Sequence, residues 1–119
     1  IFSATGSIPL AYKSPVATDE FTYWKLPYDI EILEVECLVD PTDTTGILID
    51  FDVFETNTTG DSTTSIDTVI SCDNDGASDD GDIANPIINK GNWLGFYFQN
   101  ASGTVAWFTA TINFGVIEQ

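Results

Sequence analysis

The sequence predicts an all-β protein, an antiparallel β-sandwich of jelly-roll type with seven or eight strands. Three observations lead to this fold class. First, segments of alternating apolar residues are separated by turn-rich segments. Second, Thr, Val, Ile and aromatic residues dominate the alternating segments. Third, no stretch longer than a turn or two has helical periodicity. The chain has 119 residues, 43% of them hydrophobic, so it supports one domain with one core.

The sequence of the first third of the chain predicts two strands, which differ in how clearly their apolar residues alternate. Residues 1–9 alternate weakly, and we expect residues 1–19 to form an N-terminal strand or arm that pairs with a neighbouring molecule. Residues 20–26 alternate more clearly, and Pro27 ends this strand because proline cannot donate a hydrogen bond to the ladder. Residues 20–119 are therefore predicted to form the β-sandwich domain.

The clearest strands are residues 30–39 and residues 47–54. One face of the second strand consists of Ile47, Ile49, Phe51 and Val53, and the other of Leu48, Asp50, Asp52 and Phe54. In the first strand the alternation slips by one residue at Leu33-Glu34, which predicts a β-bulge. Only a turn-rich segment separates the two strands, so the simplest interpretation pairs them with each other.

The second half predicts a shorter strand at residues 64–72 and two long strands near the end. Residues 73–82 are acidic and glycine-containing and predict a solvated loop, and residues 83–88 predict a short turn or helix. After a tight turn at residues 89–92, residues 93–99 are apolar on both faces, which indicates a central strand. A hairpin loop at residues 100–103 then leads into the last strand, residues 105–116.

The charge of the chain restricts its partners. The chain has nineteen acidic residues and three lysines, with no arginine or histidine, and its net charge is −16. We expect no nucleic-acid partner and no membrane partner, because polyanions and anionic lipids are repelled by such a field. Solubility in a salty medium and suppression of nonspecific association explain this acidity, and binding of divalent cations is the functional alternative.

The residue inventory argues against an enzyme. Without histidine there is no base for a Ser-His-Asp or Cys-His arrangement and no histidine-ligated zinc site. A pair of carboxylates can hydrolyse glycosides, but any pair among so many acids is a coincidence until a cleft is shown. We therefore expect no enzymatic activity.

The acidic segment is the candidate metal site, because Ca²⁺ prefers six to eight oxygen ligands from carboxylates, amides and carbonyls. Its candidate ligands are Asp73, Asp75, Asp79, Asp80 and Asp82. Their spacing does not match the helix-loop-helix calcium motif, and the alternative is a mobile acidic loop. Calcium is thus the one cofactor that the sequence suggests.

Aromatic residues beside polar ones are the candidate sugar-binding residues, because aromatic rings stack on pyranose faces while Asp and Asn bind hydroxyl groups. The candidates are Trp24, Tyr28, Trp93, Tyr97 and Trp107. The alternative, which we favour for each, is a place in the core or in a subunit interface.

The two cysteines are too few for a disulfide scaffold. Cys37 lies on the apolar face of its strand, so we expect a small core residue rather than half of a bridge to Cys72. The chain begins at Ile1 and contains no methionine, which predicts a processed product or a segment of a longer chain and favours an external location.

Four segments between residues 24 and 116 combine into a recognisable pattern. They are Lys25-Leu26-Pro27-Tyr28-Asp29-Ile30-Glu31-Ile32, residues 41–53, Ile88-Asn89-Lys90-Gly91-Asn92-Trp93, and the alternating last strand. In these segments, residues 24–116 resemble the small jelly-roll domains of tailed-phage virion proteins, found in head fibres, capsid decorations and tail-fibre tips. The sequence departs from the usual pattern at Asn92, where aspartate is common, and in its longer acidic loop. The resemblance implies a non-enzymatic homo-oligomer, usually a trimer, on the virion surface, in contact with other virion proteins and with host-cell glycans.

Two other functions fit the sequence. One is a secreted carbohydrate-binding module, either dependent on calcium or independent of it. The other is a subunit of an extracellular filament in which residues 1–8 insert as a strand into the next copy.

Overall fold

Two antiparallel β-sheets form the fold in the computed structural model, which describes residues 2–40, 47–57, 63–73, 76–80, 83–102 and 104–117. Within these ranges the strands are β1 (Phe2–Lys13), β2 (Glu20–Lys25), β3 (Ile30–Val39), β4 (Leu48–Thr56), β5 (Thr63–Asp73), β6 (Ala77–Asp80), β7 (Ile87–Ile88), β8 (Trp93–Ser102) and β9 (Trp107–Ile117). Sheet A has the order β1-β9-β3-β6, with β7 also paired to β3, and sheet B has the order β2-β8-β4-β5. None of these ranges contains a helix able to cross a membrane.

The strand order is that of a jelly roll. The chain changes sheets between β1 and β2, β2 and β3, β3 and β4, β5 and β6, β7 and β8, and β8 and β9. Eight longer strands in two packed sheets are what a jelly roll requires, and the two-residue β7 is an addition. The predicted antiparallel sandwich of jelly-roll type is confirmed.

The predicted pairing of residues 30–39 with residues 47–54 was wrong. β3 pairs with β6, β7 and β9 in sheet A, whereas β4 pairs with β5 and β8 in sheet B. Alternation specifies which face of a strand is buried but not which strand lies beside it. The two strands contribute their apolar faces to the same core from opposite sheets.

The faces of β3 and β4 agree with the sequence pattern. The register between β3 and β9 shifts between Ile32 and Glu34, so the predicted bulge is confirmed. In β4, Ile49, Phe51 and Val53 are fully buried. Side chains on this face therefore belong to the core as predicted.

Four phenylalanine rings form the centre of the core. Phe108 of sheet A meets Phe51 and Phe98 of sheet B edge-on, with ring centroids 4.9 and 5.0 Å apart. Phe96 lies beside Phe51, with the centroids 5.9 Å apart. Each fully buried ring contributes about 1.5–3 kcal/mol relative to an exposed one, so this cluster holds the two sheets together.

The strand β8 lies between β2 and β4, which confirms its predicted central position. On its outer face, the ring of Phe54 lies directly over Gly95, where a Cβ atom would overlap the ring. Phe54 is only 6% exposed as a result. Both faces of β8 are therefore covered by aromatic side chains, as its apolar sequence indicated.

Three connections differ from the prediction. Part of the expected acidic loop forms β6, paired with β3 from Glu34 to Cys37. The expected turn or helix at residues 83–88 contains β7, paired with Ile30 and Glu31, and β8 continues through the expected hairpin loop to Ser102. Short edge strands are held by backbone hydrogen bonds and need no apolar alternation, so the pattern does not reveal them.

The predicted turn at residues 89–92 is confirmed by an Asn92 N–H···O Asn89 bond of 3.1 Å and a φ of 89° at Gly91.

The two cysteines form a disulfide between sheets, which corrects the expectation of a free core cysteine. Cys37 of β3 and Cys72 of β5 have Cα atoms 6.1 Å apart. Both are buried, so Cys37 is a core residue as well as half of the bridge. Sequence alternation placed Cys37 correctly, but it gave no distance to Cys72.

The N-terminal segment is part of sheet A. β1 pairs with β9 from Phe2 to Lys13 and lies at the edge of the sheet. Its inward residues Ile8 and Leu10 are buried in the same core as the rest of the chain. Pairing of its outer edge with a neighbouring molecule stays a prediction.

Candidate interaction groove

One end of the sandwich is open because its two edge strands differ in length. β1 has twelve residues, whereas β2, the edge strand of sheet B, has six and ends at Lys25. Beyond that point the connection residues Leu26, Pro27 and Tyr28 line the space next to the inward face of sheet A. The result is a groove of about 320 Å³ between the edges of the two sheets.

The groove is lined almost entirely by apolar side chains from four strands and one connection. Its lining consists of Ala4, Thr5, Ile8, Trp24, Leu26, Pro27, Tyr28, Ile30, Phe114 and Val116. The side chains of Leu26, Ile8 and Ile30 are buried at its base, whereas Trp24 and Tyr28 are 40% and 58% exposed. A volume of this size lies at the lower end of the range for ligand sites.

The position of Trp24 follows from the register of β2. The register between β2 and β8 shifts between Thr22 and Trp24, so Trp24 lies opposite Leu94, which is fully buried. Residues directly opposite in an antiparallel pair share a face. Trp24 therefore lies on the core face of sheet B, at the point where the sheet ends and the core becomes accessible.

The connection that carries Tyr28 is held by backbone hydrogen bonds on both sides of it. Leu26 N–H donates to the carbonyl of Asn92 at 2.8 Å, and Gly91 N–H donates to the carbonyl of Leu26 at 2.8 Å. The carbonyl of Asp29 accepts from Ile117 N–H at 2.9 Å, and a carboxylate oxygen of Asp29 accepts from Lys90 N–H at 2.7 Å. This wall of the groove is thus fixed before any partner arrives.

The five candidate sugar-binding residues do not form one site. Trp24 and Tyr28 meet in the groove. Trp93 and Tyr97 are half-buried on β8, and Trp107, 48% exposed, begins β9. Trp107 lies about 23 Å along β9 from Phe114 in the groove, at the usual rise per residue. Sugar binding by any of them stays a prediction.

The candidate metal ligands are only partly within the described residues. Asp75 and Asp82 lie outside those residues, Asp73 ends β5, and Asp79 and Asp80 occupy consecutive positions in β6. The described part of the chain contains no group of three potential metal-ligating side chains. Calcium binding stays a prediction.

Two acidic residues, Asp40 and Glu55, are buried and accept hydrogen bonds from nearby connections. The carboxylate of Asp40 accepts from Ala106 N–H at 2.8 Å and from Trp107 N–H at 2.7 Å. One oxygen of Glu55 accepts from Asn89 N–H at 2.9 Å and from the Asn92 side-chain amide at 2.7 Å. Asp40 and Glu55 are 9% and 8% exposed, so these two carboxylates hold loops in place rather than coat the exterior.

Sequence reasoning missed most of the groove lining. The alternation places Ala4 and Ile8 on one face of the first strand and Phe114 on one face of the last strand, but nothing in this pattern shows that the opposite sheet ends early. The available signal was Pro27, which ends the second strand.

Comparisons with known proteins identify no family. No protein-family model matches the chain, and no curated protein sequence does. Among solved structures, a chain in the structure of infectious bursal disease virus, Gx strain, is similar with a TM-score of 0.29 and 8% identity over 99% of this chain. A chain in the structure of the Gt strain is similar with a TM-score of 0.27 and 10% identity over 100% of this chain. This protein spans 42% and 41% of the length of those chains. At such TM-scores the similarity supports no functional argument.

Proposed function

We propose that this protein is a non-enzymatic structural domain on the surface of a virus particle, where several copies assemble, with a trimer as the expected form. The observation that carries the proposal is the strand order. Eight-stranded double-sheet jelly rolls recur in viral capsid domains and in lectins, so the fold is compatible with assembly and with sugar binding. A fold alone does not assign a function, and the choice between the two depends on the surface.

The surface favours assembly. Exposed apolar side chains grouped beside one another mark interaction sites in many proteins, and here Trp24 and Tyr28 are both exposed and line the same groove. The buried disulfide between the sheets supports an external location, because disulfides persist in oxidising surroundings.

The proposal is tested on particles and on the isolated chain. We expect antibodies against the chain to label the exterior of intact particles, and light scattering after size exclusion to give the mass of a trimer. A monomeric chain absent from purified particles would contradict it. The matched control is the same labelling on particles prepared without the chain.

A secreted carbohydrate-binding module is the second candidate, favoured by the meeting of Trp24 and Tyr28 in one groove. It requires retention on a glycan array by a monomeric chain, and calcium dependence would implicate the acidic segment. The filament alternative has less support, because β1 already pairs with β9 of its own chain.

A further inference from the structure

The outer edge of β1 has no strand beside it in the part of the chain that the structure describes. β1 is twelve residues long and pairs with β9 on its other side. A free edge of this length presents a row of backbone N–H and C=O groups to which a strand of another molecule can pair. Natural sheets prevent such pairing with short edge strands, charged side chains, bulges or proline.

The backbone groups at this free edge belong to the odd-numbered residues of β1. Ser14 N–H donates to the carbonyl of Ala106, the residue before β9, at 2.8 Å. Backbone groups two residues apart on a strand point to the same neighbour, so the even-numbered residues of β1 face β9. The odd-numbered residues then point away from β9 and form an outward row, which consists of Thr5, Ser7, Pro9, Ala11 and Lys13. Pro9 agrees with this direction, because proline in a sheet has its missing N–H on the free side of an edge strand.

Carboxylates occur on the other edge strands but not on β1. The chain has no Asp or Glu before Asp19, and the only charged side chain of β1 is Lys13, at its end. In sheet A the opposite edge is formed by β6 and by β7, which has two residues, and in sheet B the edges are β2 and β5. The acidic residues of these edges are Glu20 on β2, Asp67 and Asp73 on β5, and Asp79 and Asp80 on β6. Charged side chains thus protect β1 less than they protect the other edges.

Repulsion between two copies is also weak at this edge. β9 carries no charge, so the next carboxylates in sheet A are on β3. In two copies paired through β1, the two β3 strands are five strand spacings apart, about 24 Å, or roughly three Debye lengths at physiological salt. In sheet B, β2 borders the same groove as β1, and it carries both Glu20 and Lys25, with Asp19 just before it. A second copy therefore meets little unscreened negative charge in sheet A and charges of both signs in sheet B.

Pro9 lies in the middle of the outward row, opposite Thr111 on the β9 side. A register shift between Phe2 and Ala4 disturbs one end of β1, and Lys13 stands at the other end. Between residues 5 and 11 there is neither a charge nor a register shift, so Pro9 is the only feature there that opposes pairing. A strand placed along the outward row loses a hydrogen bond at Pro9 and meets the pyrrolidine ring in its place.

We propose that Pro9 keeps the outer edge of β1 from pairing with β1 of a second copy of this chain. Without the proline, both copies present the same row of backbone groups, and two such rows pair antiparallel about a twofold axis. Position 9 then lies on the axis, and Ser7 of one copy faces Ala11 of the other. This inference goes beyond the proposed function and does not depend on it, since the edge is the same in a monomer and in a trimer. It is opposed to the expectation that residues 1–19 pair with a neighbouring molecule, and the same measurements decide between the two.

The test moves the proline along the outward row. Sedimentation equilibrium in about 0.15 M salt compares the wild type with Pro9→Thr, which restores the N–H and favours a strand. The matched control is Ala11→Thr, which places the same side chain at the next outward position and keeps Pro9. The double variant Pro9→Thr with Ala11→Pro returns a proline to the row two residues further on. Near-ultraviolet circular dichroism verifies that each variant is folded.

We expect Pro9→Thr to associate at least about tenfold more tightly than the wild type, Ala11→Thr to differ from it by less than about twofold, and the double variant to return to the wild-type value. A monomeric wild type then gives dimers of Pro9→Thr, and a trimeric one gives species larger than a trimer. The mass of the wild type thus tests the proposed assembly, whereas the difference between variants tests Pro9. Association of Pro9→Thr no tighter than that of the wild type overturns the inference, and so does association of the double variant as tight as that of Pro9→Thr.

Amide hydrogen exchange of the wild type examines the same edge without any substitution. We expect the N–H groups of Ser7 and Ala11 to exchange at least about tenfold faster than those of Ile8 and Leu10, which face β9. Equal protection of the two pairs would mean that the outer edge of β1 is already paired in the wild type. That result would contradict the role assigned to Pro9 and would support pairing of β1 with a neighbouring molecule.

Discussion

The two ends of the sandwich are built differently. At the disulfide end, Cys37–Cys72 joins the two sheets and Asp40 binds the backbone at the start of β9. At the groove end, sheet B stops at Lys25 and leaves apolar side chains accessible. Both ends have depressions, but the one near the disulfide end, about 260 Å³, is lined by the β1–β2 connection and residues such as Ala101 and Thr104, without an aromatic side chain.

This difference suggests a division of roles. The covalent bond between the sheets lies at one end, and the groove lined by two exposed aromatic residues lies at the other. Carboxylates that accept backbone hydrogen bonds occur at both ends, with Asp40 at the first and Asp29 at the second. If that division is real, changes at the disulfide end should lower the free energy of unfolding, and changes at the groove end should leave it nearly constant.

Among the changes that compare the two ends, removal of the disulfide should have the largest effect on stability. Cys37 and Cys72 are 35 residues apart, and a loop of this length predicts a loss of about 4 kcal/mol when the bridge is replaced by Cys37→Ala with Cys72→Ala. Urea unfolding of the double variant and of the wild type with and without reductant measures it. A reductant that leaves the wild-type midpoint unchanged would show that the bridge does not contribute.

Loss of the Asp40 carboxylate should have the next largest effect. Asp40→Ala removes the acceptor of two backbone N–H groups at Ala106 and Trp107, and charge-assisted bonds of this kind predict a loss of about 2–3 kcal/mol. Asp40→Asn keeps one acceptor oxygen and should lose about half as much. Asp19→Ala is the control, since its carboxylate accepts a single N–H, from Val16, in an exposed loop. Equal losses for Asp40→Ala and Asp19→Ala in urea unfolding would contradict the role assigned to Asp40.

The sequence predicts the long strands and the bulge well, because one face of each is buried and the side-chain period is two. β3, β4, β8 and β9 all combine alternation with strong burial, for example at Phe51, Phe96 and Phe108. The alternation pattern does not predict β6, because β6 is an edge strand held by backbone pairing with β3. Its acidic residues are compatible with an edge strand, but they do not specify one.

The groove and the disulfide depend on distances that no local pattern contains. Trp24 and Tyr28 were candidates by residue type, but their meeting with Phe114 requires the end of β2 to lie across from the end of β9. The Cys37–Cys72 bridge likewise requires β3 and β5 to face each other across the core. Both features follow from the order of the strands in the two sheets, and the alternation of apolar residues does not determine that order.

Gly6 lies beside the groove and Gly95 lies away from it, so alanine substitutions at these two positions compare how tightly the two regions are packed. A Cβ at Gly95 would overlap the buried ring of Phe54, so Gly95→Ala should cost about 1–3 kcal/mol. A Cβ at Gly6 would lie 3.0 Å from Cζ of Phe114, a half-buried ring that can shift toward the groove, so Gly6→Ala should cost less than about 1 kcal/mol. Thermal unfolding of both variants measures the contrast. A larger loss for Gly6→Ala would mean that Phe114 cannot move and that the groove wall is rigid.

The smallest effect on stability is expected at Tyr28. Its side chain is 58% exposed on a connection fixed by backbone hydrogen bonds, so Tyr28→Ser should change the free energy of unfolding by no more than about 0.5 kcal/mol. Phe108→Ala, in the core, should by contrast lose about 3–5 kcal/mol. The measurement must be made at a concentration where the chain is monomeric, because association adds to apparent stability. A loss above about 1 kcal/mol for Tyr28→Ser under that condition would make the ring part of the fold and remove the distinction between the two ends.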